Sequence, residues 1–151
     1  AEGYLFRICP GVFATEPDVS DETAIRELYL ERRGKRIGAY YHESAAYHAG
    51  ILDKKPETEY ILCNNVKTDD FRNQKVGNTK FKTRAAYAEI NNRNCKAIEG
   101  INLLMFSGKH PEYRRRVEDW LLKNRIFISD MEPYFRYYPI MIKKIVKELF
   151  K

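Results

Sequence analysis

An ordered block in the middle of the chain most constrains what it can fold into. Residues 34–51 contain a short helical segment rich in small residues that ends at Gly50, since glycine readily adopts the left-handed conformation that closes a helix. The apolar segment 60–63 has the pattern of a strand covered on both faces. Segment 75–84 then carries Gly77–Asn78, a two-residue turn signal. The block predicts a short helix, a buried strand and a hairpin, in that order.

The segments on both sides of this block add further predicted strands and helices. Two short strands are predicted at 4–8 and 11–14, around a Pro-Gly turn. A helix is predicted from 21 to 33 and ended by Gly34. Three or four helices are predicted from about residue 94 onward, because apolar residues recur there at helical spacing. The predicted fold class is therefore α+β: a small mixed sheet with hairpins, packed by helices, with a helical C-terminal segment.

Composition favours an anionic partner and a reducing compartment. The net charge is +6 over 151 residues, which suits nucleic acid or an acidic protein face. The three cysteines, Cys9, Cys63 and Cys95, are odd in number and widely spaced, so we predict buried free thiols in the cytoplasm. No apolar run approaches the ~20 residues of a membrane span, and no membrane association is predicted. The start at Ala1 instead of Met suggests a processed or truncated chain.

Two histidines in the predicted short helix are the nearest approach to a metal cluster. His42 and His48 are six residues apart, which places them on opposite faces of a helix, whereas ligands four apart share a face. We expect His42 to be exposed and His48 to pack near Gly50. No metal site, cofactor or catalytic residue is predicted, and the domain is predicted not to be an enzyme.

Four acidic residues keep a nuclease open as the alternative function. Asp69 and Asp70 precede the hairpin, and Glu57 and Glu59 lie at the start of the buried strand. A magnesium-dependent nuclease needs carboxylates beside the scissile phosphate, but the acid-x-Lys spacing of restriction-type nucleases is missing. The alternative, a small metal-dependent nuclease of a mobile element or phage-defence system, requires these acids to converge with a lysine. A plain interaction domain from a mobile element is a third possibility.

Basic residues alternate along the predicted hairpin. Lys80, Lys82 and Arg84 share one strand face, since side chains of a strand repeat every two residues. Such a stripe can follow a phosphate backbone; equally, lysines on an exposed strand can be a solvated edge that blocks pairing with other chains. The candidate nucleic-acid-binding residues are Arg32, Arg33, Lys35, Arg36, Arg72, Lys75, Lys80, Lys82 and Arg84.

The small-residue helix carries a resemblance to a known family. Segment 44–51, Ser-Ala-Ala-Tyr-His-Ala-Gly-Ile, resembles a helix of the AbiEi-type antitoxins, transcriptional regulators of type IV toxin–antitoxin (abortive infection) systems. A Gly-Lys-Arg-Ile step before it, a Tyr-Ile-Leu strand after it and the hairpin 76–84 are similar to the plan of that family. The helix 94–105 and the aromatic-proline start at Tyr138–Pro139 are similar as well.

The resemblance implies a cytoplasmic prokaryotic regulator that acts by binding. Such proteins pair an N-terminal winged helix for operator DNA with a C-terminal domain that helps to repress and to neutralise a nucleotidyltransferase-like toxin. Residues 1–16 would then be a remnant of the wing hairpin, and residues 17–151 the antitoxin-like C-terminal domain. Arg7 would contact phosphate in the intact protein. The chain departs from the family pattern because the helices before the wing, including the recognition helix, are absent from it.

Overall fold

A four-stranded mixed sheet organises the domain. The computed structural model describes the backbone of residues 6–9, 12–14 and 20–149, and the side chains of residues 20–148. Its strands, numbered in chain order, are β5 (Gly38–Tyr40), β6 (Thr58–Cys63), β7 (Arg72–Val76) and β8 (Thr79–Ala85). They lie in the order β5-β6-β8-β7, in which β6 pairs with β8 in parallel and the outer pairs are antiparallel.

Helices confirm the predicted α+β class. They are α1 (Asp21–Tyr29), α2 (His42–His48), α3 (Cys95–Lys109), α4 (Arg114–Lys123), α5 (Ile128–Met131) and α6 (Met141–Leu149), with 3-10 turns at Pro111–Tyr113 and Glu132–Tyr137. The four helices after residue 94 form the predicted helical C-terminal segment. No helix in the described part of the chain is long and apolar enough to cross a membrane.

The two faces of the sheet bury different side chains. On one face, Ile61 and Phe81 pack with Ala24 and Ile25 of α1. On the other, Leu62 belongs to a larger core built mainly from α2 and α3. The apolar run of β6 is therefore covered on both sides, as its sequence pattern predicts, and this burial is the main favourable contribution to folding.

The helix predicted over 21–33 ends early. Ser20 caps it as expected, accepting a hydrogen bond from the Thr23 amide at 3.1 Å, but α1 stops at Tyr29. The next residues form a small hairpin of β3 (Glu31–Arg32) and β4 (Lys35–Arg36). Its turn, Arg33–Gly34, has φ angles of 52° and 78°, typical of a two-residue hairpin turn. The prediction was wrong because Gly34 closes this turn and not the helix.

The other elements of the central block are confirmed. Helix α2 is followed by Gly50 at φ 81°, and β7 and β8 form an antiparallel hairpin around Gly77–Asn78. The turn of this hairpin is tied to the start of α1, where Asp21 Oδ2 accepts hydrogen bonds from the Asn78 amide at 3.1 Å and from the Thr79 hydroxyl at 2.9 Å. Helix α1 and the hairpin therefore position each other.

The two predicted N-terminal strands are also confirmed. They are β1 (Phe6–Cys9) and β2 (Val12–Ala14), which pair antiparallel. The predicted boundary between residues 16 and 17 lies outside the described residues. The position of the Arg7 side chain also lies outside them, although its backbone belongs to β1.

Candidate nucleic-acid-binding face

Strand register gathers four of the predicted basic residues on one face of the sheet. Lys75 lies directly opposite Lys80 across the β7–β8 pair. Lys82 and Arg84 follow Lys80 at two-residue intervals on the same face of β8. We call Lys75, Lys80, Lys82 and Arg84 the basic face. The period-two prediction for β8 groups Lys80, Lys82 and Arg84 correctly, and the β7–β8 register adds Lys75.

The three lysines of the basic face have no acidic partner. Among the side chains that the structure describes, Lys75, Lys80 and Lys82 form no ion pair with a carboxylate. Lys75 and Lys80 are both exposed. Like charges directly opposite each other across two strands destabilise a sheet. The arrangement therefore has an electrostatic cost that a bound polyanion would remove.

Edge protection does not account for the lysines of β8. Lysines guard the outermost strands of a sheet, where unpaired backbone groups invite other chains. In this sheet β7 is an outer strand, but β8 is paired on both sides, by β6 and by β7. Lys75 fits the role of an edge residue, whereas Lys80 and Lys82 do not.

Aromatic rings lie between and beside these cations. Tyr60 neighbours Lys82 across the parallel pair, with the Lys82 ammonium 5.8 Å from its ring centroid. The Arg84 guanidinium is 4.2 Å from the Tyr87 ring and donates to its hydroxyl at 3.0 Å. Phe71 packs edge-on against Tyr60 with ring centroids 5.3 Å apart. In single-stranded nucleic-acid sites, cations contact the backbone phosphates while neighbouring aromatic rings stack on the bases, and this face offers both kinds of group.

These rings were missed in the sequence. Tyr60 is adjacent to Lys82 only because β6 pairs with β8 in parallel, a long-range pairing that the local pattern does not contain. Phe71 directly precedes Arg72 and extends β7 backwards onto the same face. The abundance of tyrosine was the available signal, since eleven are present, but it did not say which ones lie beside lysine.

Arg72 does not belong to the basic face. It pairs with Thr83, and successive strand residues point to opposite faces, so Arg72 lies on the α1 side of the sheet. There it lines a shallow cleft with Thr83 and Gln74. The predicted stripe that combined Arg72 with Lys75 was therefore wrong. The two residues are three positions apart on one strand, so their side chains point to opposite faces of the sheet.

The second predicted cluster lies at the other end of the sheet. Arg32, Arg33 and Lys35 are exposed on the small hairpin. Arg36 is instead a structural residue, since its Nη2 atom lies 2.9 Å from Glu99 Oε1 and donates to the Gly38 carbonyl at 3.1 Å. The sheet brings Gly38 to the end of β6 and Lys80 to its start, about 17 Å apart at ~3.3 Å per residue. The two basic clusters are therefore separate surfaces.

The acidic residues of the nuclease alternative do not converge. Asp69 and Asp70 follow Thr68, whose carbonyl accepts a hydrogen bond from the Ala85 amide near the end of β6. Glu57 and Glu59 lie at the start of that strand. Over the described residues, no group of three or more histidine, cysteine, aspartate or glutamate side chains has the geometry to hold a metal ion.

Glu59 is held by a histidine instead. Its Oε1 atom lies 3.1 Å from Nε2 of His48, whose ring stacks on Tyr40 with centroids 3.7 Å apart. Burial raises the pKa of Glu59, but hydrogen bonds from His48 and Ser44 and the charges of His48 and Lys55 outweigh it, so the pKa is lower than usual. His48 therefore packs near Gly50 as predicted and ties α2 to β6.

His42 is half-buried, not exposed as predicted. It has a φ of 51°, and its ring lies 4.1 Å from that of Tyr41 and 5.2 Å from that of Tyr60. Burial, with a smaller contribution from the Lys109 charge, lowers the pKa of His42 to about 4. The imidazole is thus neutral at neutral pH. The prediction of an exposed His42 was wrong because the sequence does not show that Tyr60 of β6 lies beside the start of α2.

Acid is expected to destabilise the domain through His42. Its pKa is lower in the folded state than in the unfolded chain, where it is about 6.5, so the unfolded state binds the proton first. The contribution of His42 to the free energy of unfolding is fully present above a pH of about 6.5. It is lost as the pH falls towards about 4, and for this half-buried, partly screened ring the loss is on the order of 2 kcal/mol. His42→Asn keeps a residue that tolerates positive φ and removes the titration.

Urea denaturation at neutral pH and near pH 4.5 measures this loss. Carboxylates titrate in both proteins, so the His42 contribution is the difference between wild type and His42→Asn. His110→Asn is the matched control, because His110 lies on the same cleft and its side chain is 42% exposed. An equal acid-induced loss in wild type and His42→Asn would contradict the assignment.

Comparison with protein-family models, curated proteins and solved structures gave no match for this chain. Its function is therefore argued from the surfaces described above.

Proposed function

We propose that the domain is a non-enzymatic regulatory domain that binds nucleic acid through the basic face. The observation that carries the proposal is a pair of lysines, Lys80 and Lys82, that have no acidic partner among the described side chains and lie on a strand that is not an edge. Lys75 adds a third positive charge directly opposite Lys80. These cations would neutralise successive phosphates and release counterions, while Tyr60 and Phe71 offer rings beside the same path.

The resemblance of segment 44–51 to the AbiEi-type antitoxins supports the further proposal that the domain acts in a toxin–antitoxin system. In that setting the domain would bind DNA and a nucleotidyltransferase-like toxin in the cytoplasm of a prokaryote. Leu122, Phe127 and Ile140 are 67%, 54% and 84% exposed and would be candidate contacts for the protein partner. Cys63 and Cys95 are buried free thiols, which suits a reducing compartment.

Charge reversal on the basic face is expected to weaken nucleic-acid binding at least tenfold. The double variant Lys80→Glu/Lys82→Glu removes two phosphate contacts and adds repulsion at the same positions. Because each contact contributes about 0.9 to the slope of log K against log salt concentration, that slope should become shallower by about 2. Fluorescence anisotropy with a labelled oligonucleotide, at several salt concentrations, measures both quantities.

A matched control separates this face from net charge. Lys143→Glu/Lys144→Glu makes the same change in charge on the exposed side of α6 and should leave the salt slope near that of wild type. If the Lys80/Lys82 variant binds with unchanged affinity at every salt concentration, the basic face is not the binding site. If both variants lose affinity equally, binding depends only on overall charge.

A further inference from the structure

A cleft on the opposite edge of the sheet has the chemistry of a small-molecule site. It has a volume of about 240 Å³ and lies beside the outer strand β5, between α1 and the helices α2, α3 and α4. Its lining includes Tyr40 of β5, Arg26 of α1, Lys96 of α3 and Trp120 of α4. None of the four basic-face residues lines it, so the cleft is independent of the proposed function.

Small residues of α2 make room for the cleft. Ala45 and Ala49, one helical turn apart, face it. They belong to the small-residue helix that the sequence singled out and that the basic face does not use. A larger side chain at Ala49 would occupy the space, because this residue is only partly buried at the wall. Ala45 and Ala49 thus leave an open slot beside Tyr40.

The polar wall carries excess positive charge. Arg26, Arg36 and Lys96 line the cleft against one carboxylate, that of Glu99. Glu99 is held closely by Arg36 at 2.9 Å, whereas Lys96 lies 4.0 Å from it. Arg26 is also loosely paired, 3.8 Å from Glu31. Arg26 also interacts with the Tyr40 hydroxyl at the wall of the cleft. Long, exposed ion pairs are weak, so the contacts with Glu31 and Glu99 leave both head groups able to turn towards an anion at the rim.

A further donor of this wall lacks a partner. The Nε atom of Arg36 is buried and makes no hydrogen bond to any residue that the structure describes. A buried donor without an acceptor costs about 1–3 kcal/mol. This atom is closed to solvent, and the rest of the guanidinium is held by Glu99 and the Gly38 carbonyl. The groups of this wall that can meet an anion are therefore the exposed head groups of Arg26 and Lys96.

Three flat rings, with Leu30 and Leu103, form the rest of the lining. Tyr40 and His48 stack almost parallel, 9° apart, and both line the cleft. Trp120 lies across from them on α4, with the Lys96 ammonium 5.9 Å from its ring centroid. Rings stack well on such walls. The volume is below the 300–1,000 Å³ typical of drug-sized ligands, which favours one ring system with a charged group at the rim.

We propose that this cleft binds a small organic anion that combines a planar ring with a phosphate or carboxylate group. The ring would lie between Trp120 and the Tyr40–His48 stack, in the slot left by Ala49. The anionic group would lie at the rim, where Arg26 and Lys96 reach it. A nucleoside monophosphate and an aromatic carboxylic acid share this chemistry and are distinguished by the probes below.

The chain supplies its own reporter for the test. Trp120 is the only tryptophan, so its fluorescence follows occupancy of the cleft directly. The full chain is titrated with AMP, phenylacetate, adenosine and inorganic phosphate. A saturable change with AMP alone identifies a nucleotide site, and one with phenylacetate as well identifies a general aromatic-anion site. Either result supports the proposal. Equal binding of adenosine and AMP, or no saturable change with any probe, overturns it.

Three variants locate the binding. Arg26→Ala and Lys96→Ala should each weaken it about tenfold, as expected for loss of one charged hydrogen bond. Ala49→Leu fills the slot and should abolish it while leaving every charge in place. Lys82→Ala on the basic face is the control and should bind as wild type. Thermal unfolding confirms that each variant is folded. Unchanged binding by both Lys96→Ala and Ala49→Leu overturns the proposal.

Discussion

Replacing Gly38 with alanine is expected to cost at least ~3 kcal/mol of stability, a large share of the 5–15 kcal/mol of a typical domain. A Cβ atom at this position would collide with the carbonyl oxygen of Tyr29 and lie 2.8 Å from that of Leu62. Both neighbours are backbone atoms. Tyr29 ends α1 and Leu62 belongs to the inner strand β6. Neither carbonyl can move without displacing its helix or strand.

Gly34→Ala is the control for Gly38→Ala. Gly34 has a φ of 78° but no neighbouring atom within 4 Å of an added Cβ. Its replacement costs only the conformational term, about 1–2 kcal/mol. Urea denaturation of the three proteins gives the two differences. A loss for Gly38→Ala no larger than for Gly34→Ala would show that the close approach of β5 to α1 and β6 is not as tight as described.

Asn102→Leu is expected to cost about 2–5 kcal/mol, because it leaves two buried polar groups without partners. Asn102 is fully buried in α3. Its Nδ2 donates to the Tyr40 carbonyl at 2.8 Å, and its Oδ1 accepts from the Tyr138 hydroxyl at 2.9 Å. One side chain thus joins the outer strand β5 to the segment that leads into α6. Burial raises the pKa of Tyr138 far above its usual value, so its hydroxyl stays a donor.

A double-mutant cycle tests this connection. Tyr138→Phe alone should cost about 1 kcal/mol, the usual net value of one hydrogen bond. In Asn102→Leu/Tyr138→Phe no tyrosine hydroxyl is left unpaired. The double variant should therefore be more stable than the sum of the single effects by about 1 kcal/mol or more. Strict additivity in urea denaturation would mean that Asn102 and Tyr138 do not interact in solution.

The sequence predicts those parts of the fold that depend on near neighbours. The helix closed by Gly50, the strand 60–63 and the hairpin around Gly77–Asn78 all carry local signals, and the structure has all three. The small hairpin at Arg33–Gly34 has an equally local turn, but the same glycine also suits a helix end. Local pattern alone could not decide between the two.

The candidate site was predictable only in part, because it is made by long-range pairing. Alternation along one strand correctly grouped Lys80, Lys82 and Arg84. It could not place Arg72, whose face is set by its register with Thr83, nor Tyr60, which reaches Lys82 through the parallel β6–β8 pair. The cleft beside β5 is lined by residues of six helices and strands, and no spacing along the chain indicates it.

The contact between Asp21 and the hairpin turn has a consequence for local motion. Turn amides at a protein surface normally exchange their protons with water freely, but the Asn78 amide is donated to a carboxylate 57 residues away. Its exchange requires this hydrogen bond to open, by rotation of the Asp21 side chain or by separation of α1 from the hairpin, both smaller openings than global unfolding. This one amide proton therefore reports the local contact between α1 and the hairpin turn, independently of the stability of the rest of the domain.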